Sequence, residues 1–220
     1  MRSYRQYCAL AKALDVIGDR WTLLIVRELL VRGACRYTDL LYGLPGIATN
    51  LLVKRLRDLE RSGVVDRVAC PPPVATDLFQ LTARGRELEP VLMQIGMWGT
   101  PLLEGSTRED VFRLHWLAPA IRHCLRDQTP DRPPVTIDVR AGGEHMFIEA
   151  SGGSVDVRAS VTQAPAGVLT GKPRSLFDLL MGKVALRDAR AADVSYEGDL
   201  EALRRIQPNA VRPAEASPPR

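Results

Sequence analysis

Residues 49–62 carry a leucine stripe on one side and a cluster of cations on the other. Leu52, Leu56 and Leu59 recur at the spacing of one helix face. At about 100° per residue, the opposite face holds an amide and three cations, which are Asn50, Lys54, Arg57 and Arg61. Gly63 follows where such a helix would end. The pattern predicts an amphipathic helix with buried leucines and a basic outer face.

The segments around this helix predict the rest of a small domain. Helices are predicted at Leu10–Ile17, Trp21–Leu30 and Thr38–Tyr42, with a Pro45-Gly46 turn before the basic helix. A hairpin follows, with strands Val64–Cys70 and Val74–Thr82 and a Pro71-Pro72-Pro73 tip. Thr82 is predicted to cap one long helix that reaches Leu102 and has a wide apolar face. Helix, turn, helix and hairpin is the order of a winged helix-turn-helix.

In that context the basic face suits the major groove of double-stranded DNA. Asn can read adenine, and Lys or Arg can read guanine or bind phosphate. Base contacts are expected early on the helix, from Thr49, Asn50, Val53 and Lys54, and phosphate contacts from Arg36, Arg57, Arg61 and Arg67. A charged face opposite a leucine stripe is also the usual solvated side of a surface helix. The DNA-binding interpretation therefore depends on the turn and the hairpin that flank this helix.

Composition narrows the class of protein. The net charge of +4 is mild, so overall charge does not indicate a nucleic acid partner. No apolar run approaches a transmembrane helix, and the first residues do not form a signal peptide, so we expect a cytoplasmic protein that binds no membrane. The four cysteines and three histidines show no metal-binding or disulfide spacing. We therefore expect no metal or other cofactor.

Catalytic motifs are absent as well. The stretch Gly167–Pro173 has the Gly and Lys of a phosphate loop, but it is one residue short and ends in Pro where Ser or Thr is needed. The acidic residues show no pairing that suggests acid–base catalysis. The chain is therefore not expected to be an enzyme.

Three segments are predicted along the chain. Residues 1–106 form the DNA-binding and dimerisation domain, and 107–206 a second domain of helices and alternating strands. Residues 207–220 are rich in Pro and poor in apolar side chains, which predicts a disordered tail. Within the second domain a helix carries Leu114, Ala118, Ile121 and Leu125, another spans Arg174–Met181, and a last helix runs from Gly198 to Ile206.

The first half resembles the HxlR-type winged-helix regulators. The resemblance runs from Cys8 through Ala13–Thr22, Arg27-Glu28-Leu29, Arg36–Leu40, Leu44–Ile47, Arg55–Glu60, Gly63–Arg67, Leu81–Leu88 and Trp98-Gly99. It implies a dimeric DNA-binding protein that represses or activates genes, in which a cysteine at the position of Cys8 can sense oxidants. The chain departs from the family at Ala9, usually Pro, and at Ala48, usually Ser. The second change removes an expected helix cap, which Thr49 could replace.

The second half resembles the sterol-carrier-protein fold, through Leu176–Lys183 and Tyr196–Leu203. A Gly common before the last strand of that fold is absent, and Asp193 lies near its place. The resemblance implies an apolar cavity between a sheet and helices that holds a hydrophobic small molecule. Trp116, Phe147, Phe177 and Leu180 are the predicted lining, although aromatic residues at such spacings are more often plain core.

These observations predict an α+β, two-domain protein, a winged helix-turn-helix followed by a sterol-carrier-like domain. The expected function is ligand-responsive regulation of transcription by a homodimer bound to operator DNA. Two alternatives remain: a carrier of hydrophobic ligands whose first half only dimerises, and a thiol redox regulator that uses Cys8.

Overall fold

The computed structural model describes residues 3–69, 76–105, 110–158 and 160–208. These residues form two compact units, and the chain divides between Val111 and Phe112. The division between the units lies five residues beyond the predicted one after Ser106.

The first unit has the mixed α/β order of a winged helix-turn-helix. Its elements are α1 (Ala9–Ile17), α2 (Thr22–Arg32), β1 (Cys35–Arg36), α3 (Tyr37–Gly43), α4 (Thr49–Arg61), β2 (Val65–Ala69), β3 (Asp77–Leu81), α5 (Ala83–Arg86) and α6 (Glu89–Gly99). The strands form one antiparallel sheet in the order β1-β3-β2. The predicted tip, Pro71-Pro72-Pro73, lies outside the described residues.

The predicted leucine stripe of α4 is confirmed. Leu52, Leu56 and Leu59 are at most 1% exposed and pack in one core with residues of α2, α3 and the sheet. Burial of each leucine contributes about 1.5–3 kcal/mol. This burial fixes which side of α4 faces outward.

The long helix predicted after Thr82 is wrong, because the structure has two helices there. The Thr82 hydroxyl does accept a hydrogen bond from the Gly85 amide, at 3.0 Å, as a cap. The first helix ends at Arg86, and Pro90 lies in the first turn of α6. Proline has no N–H to donate to the preceding turn, so a continuous helix is interrupted at this point.

The cap of α4 also differs from the expectation. Ala48 occupies the N-cap position and makes no side-chain capping bond. Thr49 is already the first helical residue, so it does not replace the missing Ser. The Thr49 carbonyl instead accepts a hydrogen bond from the Tyr37 hydroxyl of α3, at 2.9 Å.

The second unit is a helix-covered sheet. A 3-10 turn at Leu114–Leu117 is followed by α7 (Ala118–Cys124), β4 (Leu125–Asp127), β5 (Val135–Ala141), β6 (Glu144–Ser151), β7 (Ser154–Arg158), β8 (Gly167–Gly171), α8 (Pro173–Leu180), a 3-10 segment (Leu186–Ala192), β9 (Val194–Gly198), α9 (Leu200–Arg205) and β10 (Ile206–Pro208). The main sheet has the order β7-β6-β5-β8-β9, in which β5 and β8 are parallel. Residues of α7, α8 and α9 share one core with the strands, on one face of this sheet.

Two predictions at the end of the chain need correction. The last helix ends at Arg205 rather than Ile206, and Gln207 and Pro208 are not disordered. They belong to β10, which pairs antiparallel with β4 in a separate two-stranded sheet. The rest of the predicted tail, 209–220, lies outside the described residues.

Asp193 has the left-handed backbone conformation that glycine usually supplies. Its φ is +59°, and it directly precedes β9. Aspartate is among the few other residues that adopt this conformation readily. The left-handed backbone before β9 is therefore formed here without glycine.

Candidate nucleic-acid interface

The outer face of α4 is open to solvent. Thr49, Asn50, Lys54, Arg57 and Arg61 are exposed, and Val53 is half-buried beside them. Since the leucines hold the opposite side in the core, Asn50, Lys54, Arg57 and Arg61 lie together on the outer side of the helix. Thr49 and Val53 lie at the edge of this face, towards the leucines. Among the described residues, Lys54 and Arg57 form no ion pair.

The remaining predicted cations differ in their exposure and in their ion pairs. Arg36 is exposed at the start of α3. Arg61 reaches Asp58 at 3.3 Å but stays three-quarters exposed. Arg67 of β2 is held by Glu60 and Asp77, each at 3.1 Å, and its guanidinium lies over the Phe79 ring. The hydrogen bonds to Glu60 raise the pKa of Arg67.

Sequence reasoning missed the residues that orient α4. Arg55, on the flank of this helix, forms ion pairs with Asp19 in the turn after α1 and with Asp58 one turn along α4. Next to Asp19, the guanidinium of Arg20 lies over the ring of Trp21, and that ring comes within 4.0 Å of where a side chain at Gly46 would begin. The motif Asp19-Arg20-Trp21 thus contacts the helix-turn-helix at the turn before α4, near Gly46, and at α4 itself, through Arg55. The signal in the sequence was that an acid, a cation and a tryptophan are adjacent in the turn between two predicted helices.

Comparison with known proteins agrees with this geometry. A family model described as HxlR-like helix-turn-helix matches residues 16–107. The HTH-type transcriptional regulator sll1512 of Synechocystis is 37% identical over 102 residues, which cover 46% of this chain and 75% of that protein. YvaP of Bacillus subtilis, also an HTH-type transcriptional regulator, is 36% identical over 95 residues, covering 43% of this chain and 87% of that protein.

The chain belongs to the HxlR-like helix-turn-helix family. Among solved structures, the redox regulator HypR in its reduced form is 29% identical, with a TM-score of 0.41, over 45% of this chain and all of that one. The HxlR match falls within the first unit, and sll1512 and YvaP are transcriptional regulators rather than enzymes.

Cys8 lies before the residues of the HxlR match. It is exposed and precedes α1 as its N-cap residue. Burial raises the pKa of the Cys35 thiol to about 12, and burial also raises the pKa of Cys124. Both thiols are therefore protonated at neutral pH, whereas Cys8 is the accessible cysteine among the described residues. Cys70 lies outside them.

The predicted ligand lining in the second unit is only partly brought together. Leu180 is buried on α8, and Phe177 of the same helix is half-buried against the same core. Trp116 is half-buried in the 3-10 turn before α7. Phe147, however, alternates with Met146 and Ile148, which face the helices, so it lies on the other face of the sheet. It cannot line a cavity between the sheet and the helices.

Three clefts of the second unit are lined by other residues. Clefts of about 450 and 690 Å³ lie where β5 and β8 end, next to Gly142 and Thr170. A third, of about 620 Å³, lies beside Thr136, Glu149 and Arg158. Within the described ranges, no three His, Cys, Asp or Glu side chains are grouped to hold a metal ion. No described helix is long and apolar enough to cross a membrane.

Proposed function

We propose that the protein regulates transcription by binding operator DNA as a homodimer through α4. The observation that carries this proposal is the outer face of α4, where Asn50, Lys54 and Arg57 are exposed while the leucines anchor the helix. The HxlR membership supports it, because the matched relatives are transcriptional regulators. A DNA major groove admits one α-helix with its side chains.

The proposed contacts divide by their position on α4. Thr49, Asn50, Val53 and Lys54 face the base edges, because they lie in the first turns of the helix. Arg36, Arg57 and Arg61 bind phosphates. Arg67 can do so only by exchanging its ion pairs with Glu60 and Asp77, so we assign it the weakest contribution.

Substitutions on α4 test the proposal. Asn50→Ala and Lys54→Ala should each weaken binding to the operator by about 1–3 kcal/mol, because each removes a contact to a base edge. Arg61→Ala should weaken binding to all sequences and lower the salt dependence, because a phosphate contact releases a counterion. Titration of a labelled duplex, selected by the protein from a random pool, measures both effects.

Arg86→Ala is the matched control for charge. Arg86 is an exposed cation of the same unit, at the end of α5. Wild-type affinity of all three α4 variants, or an equal loss in Arg86→Ala, would remove α4 from the groove.

The homodimer is proposed from an apolar surface on α1 and α6. Leu10 and Leu14 of α1 and Val91, Ile95 and Trp98 of α6 are exposed, Leu10 at 68% and Trp98 at 77%. Exposed apolar surface of this extent marks interaction sites. A two-fold dimer would place two α4 helices at half-sites about 34 Å apart on one face of DNA.

Sedimentation tests the dimer. At micromolar concentration we expect the wild-type mass to be that of two chains, and Trp98→Glu to give single chains. The double variant Leu10→Glu/Ile95→Glu tests the same surface independently and should also give single chains. A wild-type monomer, both alone and with DNA, contradicts the dimer.

For the second unit we propose a sterol-carrier-like domain that binds a hydrophobic small molecule and changes DNA affinity. The order of three antiparallel strands, a parallel fourth strand, α8 and β9 supports this proposal. Trp116, Phe177 and Leu180 remain the proposed lining on the helix side. Because the effector and DNA affect each other reciprocally, an effector that weakens operator binding tenfold is itself bound tenfold more weakly by the DNA complex.

Two alternatives make different use of the chain. A hydrophobic-ligand carrier would retain lipid after purification and would shift no DNA specifically. A redox regulator would lose operator binding on oxidation in the wild type but not in Cys8→Ser. Cys8 is chosen for this substitution because it is exposed, whereas Cys35 and Cys124 are buried. Measuring operator affinity with and without oxidant, in both proteins, separates the redox proposal from the ligand proposal.

A further inference from the structure

A cleft of about 870 Å³ separates α4 from Ser3 and Tyr4, which begin the segment Ser3–Tyr7 before α1. On one side it is lined by Lys54, Arg55, Asp58 and Arg61 of α4. Ser3 and Tyr4 line the other side, together with Leu14 and Asp15 of α1. The segment before α1 therefore runs beside the exposed basic helix.

Asp15 holds this segment in place. Its carboxylate accepts hydrogen bonds from the Ser3 hydroxyl at 2.7 Å and from the Tyr4 amide at 2.8 Å. The Ser3 oxygen in turn accepts a hydrogen bond from the Arg5 amide at 3.2 Å. Arg5 has a left-handed backbone, with φ of +54°, which is uncommon for a residue other than glycine. The segment is thus attached to α1 through Ser3 and Tyr4.

The charges around the cleft are unevenly balanced. Its acids are all engaged: Asp15 with the segment and with Lys12 at 3.9 Å, Asp19 with Arg55, and Asp58 with Arg55 and Arg61. Arg5 is exposed and has no ion pair within the described part of the chain. Lys54 is likewise exposed and without an ion pair among the described residues. Of these two uncompensated cations, Lys54 lines the cleft on α4, and Arg5 directly follows Ser3 and Tyr4, which line its other side.

The width of the major groove brings a DNA strand close to the flanks of a helix bound in it. An α-helix with its side chains is about 10–12 Å across, and the major groove is about 12 Å wide. A helix in the groove therefore has phosphates along both flanks. One flank of α4 faces this cleft, so a backbone on that flank would pass the side of the cleft that Ser3 and Tyr4 line.

We propose that the Ser3–Tyr7 segment is a second DNA-backbone contact, in which Arg5 binds a phosphate and Asp15 positions the segment. This inference rests on the proposed binding of DNA by α4. The partner is the sugar–phosphate backbone, so the contact adds affinity for any sequence and no base specificity.

Arg5→Gln tests the phosphate contact. Affinity for a duplex of about 30 base pairs, long enough for two half-sites, should fall about three- to tenfold at physiological salt. The slope of log affinity against log salt should fall by about one, for both selected and random sequences. Arg86→Gln removes the same charge from an exposed site away from the cleft and should leave the slope unchanged.

Asp15→Ala provides a test in which two explanations predict opposite signs. If only long-range charge matters, removing an acid beside DNA strengthens binding. If Asp15 positions the segment, binding weakens severalfold although a negative charge has been lost. Asp66→Ala, which removes an exposed acid on β2, is the control and should not weaken binding.

A double variant connects the two residues. When Arg5 is already Gln, Asp15→Ala should have little further effect, because the positioned contact is absent; additive losses would contradict the proposal. Circular dichroism confirms that each variant is folded. If Lys54→Ala weakens binding but Arg5→Gln matches the wild type, the segment proposal fails while DNA binding by α4 stands. If the wild type binds neither duplex, the proposed function itself fails.

Discussion

Replacing Arg205 with methionine is expected to lower the free energy of unfolding of the second unit by about 3–5 kcal/mol. Arg205 donates to both carboxylate oxygens of Asp127, at 2.6 and 2.8 Å, and the two side chains are 7% and 0% exposed. Its remaining donors reach the carbonyls of Pro133 and Arg132, at 2.6 and 3.1 Å. Methionine keeps the volume of the side chain but leaves a buried carboxylate without its cation.

Urea unfolding measures this loss, and amide hydrogen exchange of the β5 and β8 backbone monitors the second unit separately. Glu201→Ala is the control, because the Glu201–Arg204 pair is exposed on the neighbouring turn of α9 and should contribute less than about 1 kcal/mol. An Arg205→Met loss no larger than that of the control would show that the pair does not hold β4 and β10 together.

The same pair predicts a dependence on pH. The hydrogen bonds from Arg205 lower the pKa of Asp127 to about 2, against about 3.9 in the unfolded chain. A lowered pKa stabilises the folded state fully above the unfolded value, and this contribution disappears as pH falls from about 4 towards 2. The wild type should therefore lose stability across that range, and Arg205→Met should lose less.

Replacing Glu28 with alanine is expected to cost the first unit a similar amount, about 3–5 kcal/mol. The Glu28 carboxylate is fully buried in α2 and is paired with Arg27 at 2.8 Å and with Arg32 at 3.1 Å. Burial lowers the pKa of Arg27, and the charge of Glu28 opposes that shift. Without Glu28, the partly desolvated guanidinium of Arg27 loses its counter-charge.

The effect should extend to the helix-turn-helix. A side chain at Gly43 would overlap the Glu28 carboxylate, so α2 and α3 approach each other closely at this point. Thermal unfolding of Glu28→Ala, against Glu87→Ala as the exposed-pair control, measures the loss. Operator affinity should decline at temperatures where the variant begins to unfold and remain normal below them. A Glu28→Ala protein as stable as the control would contradict this role for the buried carboxylate.

Local patterns in the chain were sufficient to predict much of the first unit. The positions of Leu52, Leu56 and Leu59 predict both α4 and its buried side, because residues three and four apart share a helix face. Its exposed basic side follows from the same period. Pro90 was also a local signal, and reading it as a break would have given α5 and α6 correctly.

Other features depend on residues far apart in the chain. Met146, Phe147 and Ile148 are all apolar, so alternation places Phe147 opposite its neighbours but does not say which face the helices cover. The three-residue strands β4 and β10 are too short to carry a pattern, and they pair through residues about eighty positions apart. The pairing of Arg67 with Glu60 and Asp77 and the Asp15 anchor of the Ser3–Tyr7 segment likewise appear only when separate elements pack. Periodicity records the neighbours of a residue along the chain, whereas partners across space depend on long-range register and loop closure.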